Sequence, residues 1–410
     1  MIRYLTSGES HGPSLTGITE GLPAGIPVTE DQIAFHLERR QQGYGRGGRM
    51  AFEKDWATIL SGVRFGKTTG APIALSMENR AYLKDKSSWP DVMAKEGDGS
   101  GIEKITLPRP GHADLTGLQK YRFDDIRPVI ERSSARETAM RVACCSLART
   151  FLKELGIEIG GHIIAIGSIG YDSWEQIREI SDPWIGQGAE ALLAQADQSD
   201  VRCLDKKTGE QMREEIKAVR KAGSSLGGIY EIVVTGLPAG LGSYVHYDRK
   251  LDGKLAQAIL SIQAMKGVEF GVGFEAGRRH GHQVHDEITY ARGDAEAGNK
   301  HLEVEGHASD GTYLRRTNRS GGLEGGMTTG MPLILRGVMK PIPTMLKPLQ
   351  TVDINTKEQL ATRYERSDVC AVPRAVVVAE SVIAPVIANA VLEKFGGDSL
   401  DEIRERFAKG

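Results

Sequence analysis

Aromatic residues are scarce in this chain, at 6%, and only 4 of its 410 residues are cysteine. An excess of one charge is lacking too: 52 Lys and Arg stand against 54 Asp and Glu, a formal net charge of -2. That balance supplies no global field for nucleic acid or an anionic membrane. No apolar run approaches the roughly 18 residues of a membrane span. The opening MIRYLTSGES lacks the basic and then apolar pattern of a secretory leader. A soluble, cytoplasmic protein is therefore expected, with neither nucleic acid nor membrane as partner. Cys144, Cys145, Cys203 and Cys370 show no metal-ligand spacing, so they read as structural thiols of a reducing compartment, and no metal site is expected.

Glycine is what the chain has in excess: 50 residues, against a usual share of about 7%. They form no repeat, which excludes collagen-like and linker readings and points to tight loops with close backbone approaches. The length permits one large domain, 1–410, with a peripheral helical insertion near 172–200. Thr29 to Gln42 reads as a helix, with Thr29 and Gln32 as a capping box and Gly43 as the stop. Ser133 to Leu155 reads as another, with Ser134 and Glu137 as its capping box. Further helices are expected at Gly209–Ala222, Asp248–Met265 and Val372–Lys394. Strands are expected at Thr58–Val63, Ile163–Ile169, Gly228–Thr235 and Met331–Val338. Strands and helices do not alternate one for one, which argues for an α+β layered domain over a doubly wound parallel sheet.

Two histidines sit between glycines and prolines. One lies in Gly8-Glu9-Ser10-His11-Gly12, the other in Arg109-Pro110-Gly111-His112-Ala113-Asp114. Such neighbours place each imidazole on a tight loop. Arg39, Arg40, Arg46, Arg49, Arg109, Arg132 and Arg136 concentrate around them. Histidine moves protons near neutral pH, and arginine holds carboxylates and phosphates in fixed geometry. The combination points to acid–base chemistry on a small, strongly anionic substrate.

Other motifs are less specific. Arg39 to Arg49 is a basic glycine-rich loop, read as an anion lid or, alternatively, as a short nucleic-acid segment. Thr317 to Gly330 offers backbone N–H groups to a ligand, as nests do, or forms turns around a strand pair. Lys340-Pro341-Ile342-Pro343-Thr344 sets a cation and a hydroxyl on a stiff turn. Arg366-Ser367-Asp368 precedes the last long helix, either as a buried ion pair or as a proton-accepting carboxylate. His280, His282 and His285 lack an acidic or cysteine partner at clear spacing, so they read as a solvated loop.

Taken in order, GESHG at 8–12, RPGHAD at 109–114, SSARET at 133–138, GGLEGG at 321–326, Lys340-Pro341 and Arg366-Ser367-Asp368 resemble the motifs of the chorismate synthase family. The resemblance spans essentially the whole chain. It implies a β-α-β sandwich with antiparallel sheets and interior helices. It implies the lyase reaction that converts 5-enolpyruvylshikimate 3-phosphate to chorismate by 1,4-anti elimination, in aromatic amino-acid biosynthesis. It implies reduced FMN, a homotetramer and an external source of reduced flavin, NADPH entering only as reductant. By the same resemblance, His11, His112 and Asp368 are catalytic. Ser10, Arg49, Arg109 and Arg136 bind substrate, and Arg40 and Arg46 bind NADP. FMN falls to Arg132, Ser133, Ser134, Gln263 and Ala264 on one side. On the other it falls to Gly325, to Lys340, Pro341, Ile342, Pro343 and Thr344, and to Arg366. The family commonly has Asn where Gln263 stands. A non-catalytic flavin- or anion-binding homologue is the competing reading.

Overall fold

The capping box at Thr29 starts the first helix where the sequence puts it. Thr29 Oγ1 accepts the Gln32 N–H at 3.3 Å, and Gln32 Oε1 accepts the Thr29 N–H at 2.9 Å. The helix runs Glu30–Gln41 (α1) and buries Ile33 and Leu37. The structure, a computed structural model, describes residues 1–45, 55–80, 82, 89–291, 312–362 and 368–409. Arg46, Arg49 and Arg366 lie outside the described residues.

Two antiparallel sheets carry the architecture. The first is built from Arg3–Ser7 (β1), Ser14–Glu20 (β2), Thr58–Ile59 (β3) and Ile73–Glu78 (β4), in the order β1-β2-β4-β3. The second is built from Glu158–Ile166 (β5), Ile169–Gly170 (β6), Gly228–Thr235 (β7), Met265–Phe270 (β8) and Leu333–Met339 (β9), in the order β8-β9-β7-β5-β6. The other described helices are Trp89–Val92 (α2), Asp114–Tyr121 (α3), Arg127–Ser133 (α4), Glu137–Lys153 (α5), Trp174–Ile185 (α6) and Ala189–Asp197 (α7). Lys206–Lys221 (α8), Leu251–Leu260 (α9), Val372–Phe395 (α10) and Leu400–Phe407 (α11) complete them.

Helices α5 and α10 pack together between the sheets, α5 facing β1 and β2, α10 facing β5 and β7. Helices α1 and α9 fill the layer beside them. The result is an α+β sandwich with interior helices and one continuous core reaching from Ile2 to Ile403. On the far face of the second sheet, α7 packs against β5 and α6 against α7; these two helices are the segment expected to be helical near 172–200.

From the sequence, a helix is expected at Val372–Lys394 and no apolar run of membrane length. By length and composition α10 is apolar enough to cross a membrane. It is instead the core helix: Val376, Val377, Ile383 and Ile387 are fully buried, and a helix apolar all round belongs in an interior. The other departure is at 133–155. Helix α4 ends at Ser133, Ser134 is extended at φ -61°, ψ 142°, and α5 starts at Glu137 without a side-chain cap. The Ser134 hydroxyl accepts the Arg136 N–H at 3.3 Å, which makes a turn ahead of α5 rather than a cap on it, and donates to Ser10 Oγ at 3.1 Å. Helix α9 is shorter than expected because Ser261 closes it and the chain resumes as β8. Helix α8 starts earlier because Asp205 accepts the Thr208 N–H.

The first sheet reaches α5 through Gly17, where a Cβ would lie 2.4 Å from Cys144 Sγ and 2.9 Å from Met140 Cγ. Gly17→Ala is expected to push β2 off α5 and cost about 1–3 kcal/mol, as overpacked cores do. Denaturant unfolding measures it, and an unchanged midpoint would contradict this packing.

Candidate active site

The first histidine sits on the loop between β1 and β2. Asn79, just past β4, donates to the Ser10 carbonyl at 2.8 Å, and its own N–H goes to Pro13 O. His11 meets the buried Glu131 of α4: its N–H donates to Glu131 Oε2 at 2.7 Å, and its Nδ1 lies 2.8 Å from Oε1. Trp89 stacks on the His11 ring, centroids 3.8 Å apart and planes 10° from parallel. Ser10 bonds to Ser134, so the motifs at 8–12 and 133–138 form one surface. Arg132 holds the same loop from the other side, donating to the Thr6 and Gly8 carbonyls. Arg136 Nη1 donates to Asp55 at 2.5 Å, and its buried Nε has no partner among the described residues.

The second histidine is organised by Asp114, which is wholly buried at the start of α3. Asp114 accepts from the Arg109 N–H at 3.0 Å, from Arg109 Nε at 2.8 Å and from Arg109 Nη2 at 3.1 Å. Its Oδ1 also faces His112 Nδ1. Burial alone would raise this carboxyl. Hydrogen bonds from His112 and Arg109 outweigh burial and hold it well below the usual carboxylate range.

A chain of contacts joins the two corners. Glu137 accepts from Thr6 Oγ1 at 2.7 Å and from Gln263 Nε2 at 3.2 Å. Ala264 follows, held at φ +68°, a left-handed backbone that few non-glycine residues adopt. Its carbonyl accepts the Lys340 N–H at 3.0 Å. Lys340 Nζ donates to the Gly111 carbonyl, beside His112. Gly111 suits the turn itself: its φ of +78° is a left-handed conformation that glycine adopts without strain. Ser225 Oγ donates to Ile342 O at 2.5 Å, and the Leu226 N–H to Val369 O at 2.8 Å, which brings Asp368 to the same seam.

A family model described as chorismate synthase matches residues 2–392. This chain belongs to the chorismate synthase family. Chorismate synthase of Salinibacter ruber (strain DSM 13855 / M31) is 54% identical over 407 residues, covering 98% of this chain and 97% of its own length. That of Bacillus pumilus (strain SAFR-032) is 51% identical over 418 residues, covering 100% and 98%. A crystal structure of chorismate synthase matches with a TM-score of 0.76 at 39% identity, covering 100% of this chain and 96% of the other. As a chorismate synthase, the chain is a lyase of aromatic biosynthesis, from a family that uses a flavin cofactor.

The residues at the seam suit such a cofactor. Gln263 Oε1 is buried and accepts no hydrogen bond among the described residues, and a buried acceptor of this kind calls for a donor. It lies beside the strained Ala264 backbone and the Lys340 to Thr344 loop.

Several residues singled out in the sequence also have partners of their own within the fold. Arg40 is buried, with Nε on Thr138 Oγ1 at 3.0 Å and Nη2 on the Ala135 carbonyl at 2.8 Å. It supports the 135–138 turn from beneath. Arg39 turns into the core toward Glu380 and Asp197 and is no part of an anion site. Asp368 pairs with Arg374 at the start of α10. Gly325 tips the hairpin Leu323–Glu324 and Met327–Thr328. Its neighbour Gly326 accepts the Leu251 N–H, at the end of α9 opposite Gln263, and α9 spans about 15 Å. The nest expected at 317–330 is filled by the chain itself: Asp286 accepts from Thr317 Oγ1 at 2.5 Å, Arg319 N–H at 2.8 Å and Ser320 N–H at 2.9 Å. Glu131, Trp89 and Glu137 were missed as site residues. The only signal in the sequence was the nearness of Glu131 and Glu137 to Arg132-Ser133-Ser134.

The depressed Asp114 carboxyl sets a pH dependence. Its contribution to stability is full above about pH 4, the ordinary carboxylate value, declines below it, and is gone below the lower folded value. Asp114→Asn is therefore expected to melt below wild type at pH 7, with the gap closing as pH falls below about 4. A gap independent of pH in thermal scans would refute the assignment.

Proposed function

We propose that this chain removes phosphate from 5-enolpyruvylshikimate 3-phosphate by 1,4-anti elimination to give chorismate, with reduced FMN held between the His11 and His112 corners. One observation carries the reading. The Lys340 loop reaches Gly111 on one side and Ala264 on the other, so the motifs named for flavin and those named for proton transfer meet along one seam.

Gln263, whose Oε1 has no partner among the described residues, the Ala264 backbone, Lys340 to Thr344 and the Arg132-Ser133-Ser134 turn would hold the flavin. Bound there, reduced FMN would supply a reversible source of electron density to a reaction with no net redox change. His11 donates the proton that makes phosphate the better leaving group. His112, braced by Asp114, holds the proton that stabilises the reduced ring. Asp368 assists loss of the C6 hydrogen, and Arg374 keeps its carboxylate in place. Arg136, whose buried Nε has no partner among the described residues, and Arg109 supply fixed positive charge for a substrate with a phosphate and two carboxylates.

Reduced flavin comes from outside this chain, NADPH serving only to reduce it. The protein works in the cytoplasm as a homotetramer. The uncovered face of the first sheet, where Leu5 is 73% and Ile18 49% exposed, supports an assembly of copies.

Anaerobic turnover with chemically reduced FMN is expected to release chorismate and phosphate in equal amounts, and oxidised FMN with NADPH none. His11→Ala and His112→Ala are each expected to slow turnover by about 10²–10⁴-fold. Wild-type rates in both would sink the assignment of these histidines, and turnover with NADPH and oxidised FMN alone would disprove the external source.

A further inference from the structure

Glu131 does more than neighbour a motif. It fastens the Ser10–His11 turn at three points: the Ser10 N–H donates to the Glu131 carbonyl at 3.1 Å, the His11 N–H to Oε2 at 2.7 Å, and His11 Nδ1 faces Oε1 at 2.8 Å. The Glu131 side chain is 2% exposed. Burying a carboxylate is costly unless donors meet its oxygens, and here each oxygen has one. An ionised carboxylate only accepts, so the nitrogen facing it must carry hydrogen. That assigns the hydrogen to Nδ1 and leaves Nε2 as the nitrogen that exchanges a proton. Trp89, parallel to the ring at 3.8 Å, fixes the remaining freedom of the imidazole plane.

We propose that Glu131 is the positioning residue for His11: it keeps Nδ1–H in both protonation states and turns Nε2–H toward the leaving phosphate. The inference rests on the reading of His11 as the acid. In that step the Nε2–H bond breaks as a phosphate oxygen takes the proton and the C3–O pair leaves with the phosphate. Neutral His11 keeps Nδ1–H on Glu131 and regains its Nε2 proton from water.

The second histidine has a related but different support. Asp114 faces His112 Nδ1 in the same way, but it also takes three hydrogen bonds from Arg109. Among the described residues no guanidinium or ammonium bonds Glu131. The two corners therefore share an orientation device and differ in the charge around it, which suits two histidines with separate tasks.

The test combines one spectrum with kinetics on the full-length enzyme. In ¹⁵N-histidine-labelled wild type, neutral His11, assigned by loss of its signals in His11→Asn, is expected as the Nδ1–H tautomer. The Nε2–H tautomer would overturn the proposal without any Glu131 variant being needed. Glu131→Gln is expected to lose at least about tenfold in kcat, with the KM for the phosphorylated substrate within about threefold and FMN binding by fluorescence titration unchanged. Glu131→Asp, which keeps the charge but is one methylene shorter, should not rescue it. Wild-type kcat in Glu131→Gln beside a slow His11→Ala overturns the role of Glu131 alone. Wild-type kcat in His11→Ala removes the acid assignment beneath it. A general loss of flavin and substrate binding in Glu131→Gln would make the residue structural and overturn the proposal as well.

Discussion

The carboxylate of Glu380 is the point on which the interior layer turns. It lies wholly buried in the middle of α10, between two guanidiniums: Arg39 of α1, whose Nη1 is 2.5 Å away, and Arg149 of α5, at 2.9 Å. Arg39 also reaches Asp197 of α7, which in turn binds Arg202. Burial would raise the Glu380 carboxyl, but the two arginines outweigh it and keep the group ionised. Such a knot adds little net stability over a well-packed apolar core, because desolvation offsets attraction. Its contribution is register: it fixes how α1, α5 and α10 lie against one another.

That register reaches the site by one step along the chain. With Arg39 locked inward, Arg40 is directed to the other side of α1, where it meets Thr138 and Ala135 beneath the 135–138 turn. The turn then carries Ser134 to Ser10 and Arg136 to Asp55. Two adjacent arginines that look alike in sequence are divided between the core and the floor of the site. Net charge on the chain is near zero, yet charge is placed with great local asymmetry, and neither a salt-dependent surface nor a polyanion track is needed to explain the arginine content.

Legibility followed locality. The Thr29–Gln32 capping box was readable because all its atoms lie within one turn. The triad of Arg109, His112 and Asp114 lies within six residues, and its glycine and proline frame marked it as a built loop. Ser134 misled for the same reason: it has the side chain and spacing of a cap, but its oxygen accepts the Arg136 N–H in a turn before α5, and its O–H goes to Ser10, more than a hundred residues away. Glu131 gave no local sign of its use, since its partner His11 is remote in the chain. At 317–330 the alternative of turns around a strand pair holds, and Asp286, which takes the Arg319 and Ser320 N–H groups, belongs to a different segment. The sheet-and-helix layering came through because period and composition are local. The pairing of loops at the seam did not, because only tertiary closure decides it.

The bond from Lys340 to Gly111 spans 229 residues of chain, and the clasp of Thr106 on Asp353 just behind it spans 247. Closures of that length come late in folding, after the entropy of the intervening loops has been overcome. A ribosome must therefore release almost the whole polypeptide before this seam can exist, and a fragment ending short of residue 340 has half a cleft. Any ligand that bridges the seam would therefore bind only molecules whose two halves have already met, and would stabilise the completed chain over earlier, open species.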